Sequence, residues 1–298
     1  MRGTIVKALA GFYYIFADGT VYECRARGVF RKGSMSPLVG DEVEMTVVAA
    51  PGTQPSASSP DMGVGAVDKI LKRKNSFSRP PVANVDLMVI VVSVKDPAPS
   101  FPILDRVAVA AEKAGTDILI CVSKTDLAEE NILQRAKDHY RGAYPVLAVC
   151  ARTGDGMEEL RRLLKGKKAA LAGPSGAGKS TLTNSLMGRE VSLTGDISEK
   201  LKRGRNTTRH CELFKADGFF LFDTPGFTSF ENEGLDPAEI AHLFPDFADH
   251  MDCRFDDCRH ITEPDCGVKA AVEEGKISRG RYDSYKEIYE AAVKALKY

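Results

Sequence analysis

The stretch GPSGAGKST, residues 173–181, decides how the centre of this chain folds. It satisfies G-x-x-x-x-G-K-[ST] in full: Gly173, Pro174, Ser175, Gly176, Ala177 and Gly178 lead to Lys179 and Ser180, with Thr181 next. A short apolar run, residues 169–172, precedes it, and TLTNSLM from Thr181 onward suits a helix. Strand, glycine-rich turn and helix are the setting this motif needs. The glycines let successive backbone N–H groups turn toward one point, and the helix N-terminus adds partial positive charge there. The expectation is a phosphate cradle in which Lys179 reaches the β- and γ-phosphates and the Ser180 hydroxyl ligates Mg²⁺. An ordinary glycine-rich turn is the bland alternative. Agreement of spacing, Lys-Ser pair and both flanks weighs against it.

Downstream, FFLF at residues 219–222 runs into DTPG at residues 223–226. A carboxylate at a buried strand end is placed to hold Mg²⁺ through water, so Asp223 is the candidate. Gly226 frees a backbone N–H for the γ-phosphate. Alone, D-T-P-G reads equally well as a type II turn; standing 44 residues after Lys179, it gains meaning. Between the two lies GRNTTRH, residues 204–210. A threonine there would complete the magnesium shell, Thr208 as first choice and Thr207 as second.

Upstream lies the element that separates guanine from adenine. DILICV, residues 117–122, ends in Ser123, Lys124, Thr125 and Asp126. An Asp here accepts hydrogen bonds from the ring N–H and exocyclic amine of guanine, while the Lys packs its stem along the base. The usual motif begins with Asn; here Ser123 stands in that place. CARTG, residues 150–154, follows the next strand and resembles a base-supporting S-A-x-T-G loop, with Cys150 for Ser and Ala151 in place. In common GTPases such motifs follow the phosphate loop, but here they precede it by about 50 residues. The order describes a circular permutation, which keeps the sheet while moving the chain ends. It also makes the DTPG segment feed directly into the C-terminal region.

Around this centre the texture changes twice. Residues 1–50 read as short strands broken by turns, such as residues 11–16, a turn at 17–20, then 21–24 and 43–48, which suggests a small β-barrel. Residues 51–65 form a loop rich in Pro, Gly and Ser; residues 67–71 are placed to close the barrel and residues 78–81 look like a linker. From residue 84, buried-strand runs at 85–94, 117–122, 146–150, 169–172 and 219–222 alternate with helical stretches, the pattern of an α/β domain. Beyond about residue 229 the chain becomes helical and acidic. Tyr282, Tyr285, Tyr289, Val293 and Leu296 form a packing stripe on one helix face.

At 298 residues, 43% apolar and 28% charged, the chain suits a soluble protein of two or three domains. Its longest apolar run, residues 87–92, is far too short to span a bilayer, and no signal peptide is evident, so the expectation is a cytoplasmic protein without a membrane partner. Residues 1–82 carry 11 Lys and Arg against 7 Asp and Glu, whereas residues 229–298 carry 9 against 16. The basic N-terminal bias permits RNA binding without requiring it. Cys24, Cys121, Cys150 and Cys211 are scattered and read as reduced, mostly buried thiols.

The other three cysteines cluster. Cys253, Cys258, His260 and Cys266 put three thiolates and an imidazole within fourteen residues. Four closed N/S ligands suit one structural Zn²⁺ and leave no open position for catalysis.

A β-barrel, a permuted GTPase and a C-x4-C-x-H-x5-C segment in that order resemble the ribosome small-subunit-dependent GTPase family (RsgA, also called YjeQ or YloQ). The resemblance spans nearly the whole chain. It implies an OB-fold at residues 1–72, a circularly permuted P-loop GTPase domain at 73–228 and a mostly helical zinc-binding domain at 229–298. It also implies GTP hydrolysis to GDP and phosphate, stimulated by the small (30S) ribosomal subunit, late in that subunit's maturation, with binding to its 16S rRNA. A monomer is the default expectation. Two departures stand out. Ser123 replaces the usual Asn, and Phe227 occupies the place where many GTPases carry a water-orienting Gln. Family members carry a His just before the paired threonines; this chain has Asn206 there, and His210 is the nearby candidate substitute.

Overall fold

The computed structural model describes residues 1–26, 36–51, 62–127, 131–188, 211–223 and 234–296. The chain forms two compact units: residues 1–86, 164–170 and 196–226 make the first, and residues 87–163, 171–195 and 227–298 the second.

In the first unit, β1 (Arg2–Leu9), β2 (Phe12–Ala17), β3 (Thr20–Ala26), β4 (Glu42–Ala49) and β5 (Gly63–Ile70) run in the order β1-β2-β3-β5-β4, and β4 returns to β1. Only β3 and β5 pair in parallel; the other neighbours are antiparallel. This is a closed five-stranded barrel of OB type. Ala10-Gly11 and Asp18-Gly19 all have positive φ, the geometry that lets a two-residue turn follow the twist of its strands. Ile5, Ile15, Tyr22, Cys24, Val43, Met45 and Val67 fill the interior. β1 is hard to read from sequence because a register shift between Ile5 and Lys7 breaks its alternation. The loop expected over residues 51–65 ends early, since β5 begins at Gly63.

The expected linker at residues 78–81 is instead the turn of a hairpin, β6 (Ser76–Ser78) with β7 (Pro81–Ala83). Phe77 and Val82 bury themselves, and Asn75 exchanges two hydrogen bonds with the Val85 backbone at 2.8 and 2.9 Å. The strand β11 (Lys168–Ala172) contributes its first three residues to this unit, together with β12 (Glu212–Lys215) and β13 (Phe220–Asp223). β12 pairs with β1 at Lys7↔Glu212, where the two side chains form a 3.1 Å ion pair. The barrel therefore extends into strands from the middle of the chain.

In the second unit, β8 (Leu87–Ser93), β9 (Asp117–Ser123) and β10 (Val146–Ala148) pair in parallel. Every residue of β8 is buried, as a strand covered on both faces requires. Helices α1 (Phe101–Lys113), α2 (Ile132–His139), α3 (Met157–Leu164) and α4 (Lys179–Met187) follow the strands. The C-terminal part adds 3₁₀ turns at Ile240–Leu243 and Pro245–His250 and helices α5 (Gly267–Glu273) and α6 (Arg279–Ala295). Phe244, Phe247, Tyr282, Tyr285 and Ile288 are at the heart of its core. The expected stripe on α6 packs at Tyr282, Tyr285 and Tyr289, whereas Val293 is only half-buried and Leu296, past the helix end, is 71% exposed. Among the described residues no helix is long and apolar enough to cross a membrane.

Candidate nucleotide site and metal centre

Residues 173–178 turn sharply between β11 and α4. Gly173 sits at φ 128°, and a Cβ there would lie 2.3 Å from the Val91 carbonyl oxygen, so no other residue fits. Gly178 caps α4 at φ 94°. Ser175 and Gly176 are exposed and Ala177 is buried, so the crest of the loop faces solvent on a fixed base. Arg161 of α3 donates to the Leu186 and Ser185 carbonyls at 2.8 and 2.6 Å, satisfying the far end of α4. Ser180 is half-buried in the first turn of α4 and Thr181 is exposed beside it.

Lys179 folds back over the loop and donates to the Gly173 and Pro174 carbonyls, both at 2.7 Å. Burial lowers its pKa to about 8, because the charged form loses solvation. The ammonium is the form that attracts a polyphosphate, so binding takes up a proton wherever Lys179 starts neutral. GDP affinity should therefore hold near pH 7 and fall above about pH 8, approaching about one decade per pH unit by linkage. Equilibrium titration with a fluorescent GDP between pH 7 and 10 checks this; a flat profile would contradict it.

The expected base-reading motif lies against the glycine-rich loop despite standing 50 residues earlier in the chain. Ser123, buried at the end of β9, donates its hydroxyl to the Ala177 carbonyl at 2.6 Å, with the Val92 carbonyl at 3.3 Å. The single hydroxyl thus ties the two loops together inside the fold. Losing a buried bond of this kind costs about 1–3 kcal/mol. Lys124 adopts φ 58° and donates to the Asp96 carbonyl at 2.5 Å, which lays its stem near Gly178. Thr125 and Asp126 form a short 3₁₀ turn, and the Thr125 hydroxyl lies 3.4 Å from the Val149 carbonyl.

The Cys150 thiol donates to Asp126 Oδ1 at 2.9 Å, and Arg152 pairs with Asp126 Oδ2 at 2.9 Å. These two contacts, the thiol first, hold the Asp126 carboxyl below the usual carboxylate range. Cys150 is buried and Ala151 half-buried, in a loop closed by the Gly154 N–H to the Cys150 carbonyl at 2.9 Å. Asp96, Arg152 and Arg161 are the contributors that motif reading passes over. Their roles depend on neighbours distant in the chain, and only the inclusion of Arg152 within CARTG hinted at one of them.

Asp223 ends β13 in the first unit, half-buried and opposite Glu212. Asn206, Thr207, Thr208, His210, Gly226 and Phe227 lie outside the described residues.

The C-terminal cluster is assembled. One ligand atom from each of Cys253, Cys258, His260 and Cys266 falls within 4.8 Å of the others, so the group can hold a metal ion. His260 offers Nδ1, 3.5 Å from the Cys253 sulfur and 3.3 Å from that of Cys266; the two sulfurs are 3.8 Å apart. Glu263 folds under the loop and accepts from the backbone N–H groups of Arg259, Ile261 and Thr262. Tyr282 and Tyr285 of α6 donate to the His260 and Arg259 carbonyls at 2.7 and 2.5 Å, which anchors the loop to the long helix.

Comparison with known proteins agrees with this geometry. Residues 70–233 match the RsgA GTPase family and residues 2–51 the RsgA N-terminal domain. The chain is 40% identical to the small ribosomal subunit biogenesis GTPase RsgA of Agathobacter rectalis, over the full length of both. It is 42% identical to the protein of the same name from Clostridium acetobutylicum, over 96% of this chain and 95% of the other. Among solved structures it resembles YjeQ from Thermotoga maritima, with a TM-score of 0.82, 36% identity and 98% of each chain covered. It also resembles YloQ, described as a circularly permuted GTPase, with a TM-score of 0.78 and 32% identity over 98% of this chain and 95% of that one.

Proposed function

This chain belongs to the RsgA family of circularly permuted GTPases, and from that premise we propose that it hydrolyses GTP as an assembly factor acting late on the small (30S) ribosomal subunit. The observation that carries the nucleotide reading is the Ser123–Ala177 hydrogen bond. It joins a base-reading loop to a phosphate loop that follows it in the chain. Asp126 reads the guanine edge, Lys124 flanks the base, and residues 173–181 cradle the phosphates with Lys179 as their cation. Ser180, Thr208 and Asp223 would hold Mg²⁺, which would supply charge neutralisation to the phosphates. His210 or Asn206 orients the attacking water, since Phe227 has no polar group to do so.

The domain division at residues 72 and 228 follows these roles. The barrel at 1–72 engages 16S rRNA, the GTPase domain at 73–228 holds the nucleotide, and the segment at 229–298 holds the metal. Zn²⁺ is the ion the donor set favours. Zn–S bonds of about 2.3 Å and a Zn–N bond of about 2.0 Å in a tetrahedron put sulfurs about 3.8 Å apart and N and S about 3.5 Å apart. The separations of 3.8, 3.5 and 3.3 Å among Cys253, Cys266 and His260 match that spacing. The protein works in the cytoplasm as a monomer.

Asp126→Asn tests the guanine reading. Xanthine carries an oxygen where guanine carries an amine, so an amide would satisfy it. Selectivity should move toward xanthine nucleotides by about a hundredfold, the scale set by two charge-assisted hydrogen bonds. Competition binding of GDP against xanthosine diphosphate reads it, and unchanged selectivity would remove Asp126 from the site. Phe227 also motivates a second reading, an RNA-binding protein gated by nucleotide with negligible hydrolysis.

A further inference from the structure

Asp126 is not simply presented to a base. Its carboxylate offers about four lone-pair positions, two on each oxygen. Arg152 lies over Oδ2, with an Nε hydrogen bond at 3.0 Å and Nη2 2.9 Å from the same oxygen, so the guanidinium covers it. Cys150 takes one position on Oδ1 through its thiol at 2.9 Å. With both oxygens engaged, the Asp126 side chain is only 13% exposed. A guanine edge brings two parallel donors, the ring N–H and the amine, and needs an acceptor on each oxygen. The thiol can stay when guanine docks; the guanidinium cannot.

Arg152 is able to leave. Its side chain is 73% exposed. The loop that carries it is held in place without it, through Cys150 N–H to the Asp155 carbonyl at 2.8 Å and Gly154 N–H to the Cys150 carbonyl at 2.9 Å. Releasing the guanidinium therefore disturbs no packing.

We propose that Arg152 competes with the guanine base for Asp126 and so sets the rate and tightness of nucleotide uptake. The inference rests on the guanine-site reading given above. An exposed pair is a weak competitor, so removing it should speed GDP association and tighten binding by about two- to fivefold. The lysine variant keeps the charge but loses the planar guanidinium that covers Oδ2, and should fall between wild type and alanine. Salt screens an exposed pair, so the advantage of the alanine variant should shrink as ionic strength rises.

The experiment is stopped-flow association of fluorescent GDP with nucleotide-stripped protein, for wild type, Arg152→Ala and Arg152→Lys, at 50 and 500 mM salt (about a threefold change in Debye length). Faster uptake by Arg152→Ala, with an advantage that fades in salt, supports the proposal. Equal or weaker GDP binding by Arg152→Ala overturns it, the weaker outcome meaning that Arg152 supports the base. Parallel variants with Asp126→Asn separate the two levels. If Asp126→Asn shifts selectivity toward xanthine while Arg152→Ala changes nothing, the competition is wrong and the guanine site stands. If Asp126→Asn leaves selectivity unchanged, the guanine reading itself fails. Circular dichroism of each variant confirms that the exposed substitution leaves the fold intact.

Discussion

Arg281→Ala should cost the second unit about 3–5 kcal/mol of stability at neutral pH, the range for stripping one partner from a buried ion pair. Arg281 sits on α6 with no solvent exposure. Nη1 donates to Asp105 of α1 at 2.8 Å, and Nη2 donates to Asp246 of the 3₁₀ turn at 2.8 Å. Asp105 has no exposure and Asp246 has 2%. His139 of α2 shares Asp105 through Nε2 at 2.9 Å, and the guanidinium carbon lies 4.5 Å from the Phe244 ring centre. One side chain thus ties α6 to α1 and the 3₁₀ turn, and through Asp105 to α2.

The pH dependence carries a definite sign. Burial by itself raises the Asp105 pKa, but Arg281 and His139 outweigh it and hold the carboxyl below its ordinary value. In the wild type that stabilisation is present above the unfolded carboxylate pKa of about 4 and is lost as pH falls through the lower folded value. Without Arg281, Asp105 keeps chiefly His139 against its burial, and its folded pKa rises. The variant then binds more protons folded than unfolded, so its deficit is greatest near pH 7 and narrows toward pH 4. Urea denaturation of both proteins at pH 7 and pH 5 reads this directly. A deficit below about 1 kcal/mol would mean the network is not the clamp described.

Lys179→Ala should abolish turnover almost completely. Lys179 is the cation folded over the phosphate loop, fixed by the Gly173 and Pro174 carbonyls at 2.7 Å. Its loss removes the charge proposed to meet the β- and γ-phosphates and leaves those two carbonyls without their donor. Removal of one preorganised donor of this kind lowers turnover by about 10²–10³-fold. Lys179 lies half-buried on a loop whose shape is set by Gly173 and Gly178, so the variant should fold normally. Its effect would then be on chemistry and phosphate affinity.

The parts of this molecule that were legible in the sequence are those whose residues act locally. Gly173 and Gly178 are needed where they stand because the backbone there has positive φ, and the P-loop pattern encodes that directly. The parallel strands were legible because burial on both faces leaves uninterrupted apolar runs such as Leu87–Ser93. The candidate metal cluster was legible because three cysteines and a histidine fall in one short segment. β1 was not, because its register shift hides the alternation. The β6–β7 hairpin was not, because its anchor is Asn75, a side chain that suggests a loop until its bonds to Val85 are seen.

Ser123 looked like a loss relative to Asn, and its hydroxyl proves to bridge the two loops. Arg281 carries no local signal in the sequence. Only the fold shows Asp105, 176 residues away, facing it.

The central claim is that this GTPase is driven by the small ribosomal subunit, and one measurement bears on it most directly. Phosphate release from GTP is followed with and without purified small subunits, for wild type and Lys179→Ala. The wild type should turn over slowly alone and at least about tenfold faster with subunits, a change worth about 1.4 kcal/mol of barrier. Lys179→Ala should stay near background in both conditions. Equal wild-type rates with and without subunits, across several salt concentrations, would contradict the account; absence of phosphate release in a single turnover on bound subunits would favour the nucleotide-gated RNA binder instead.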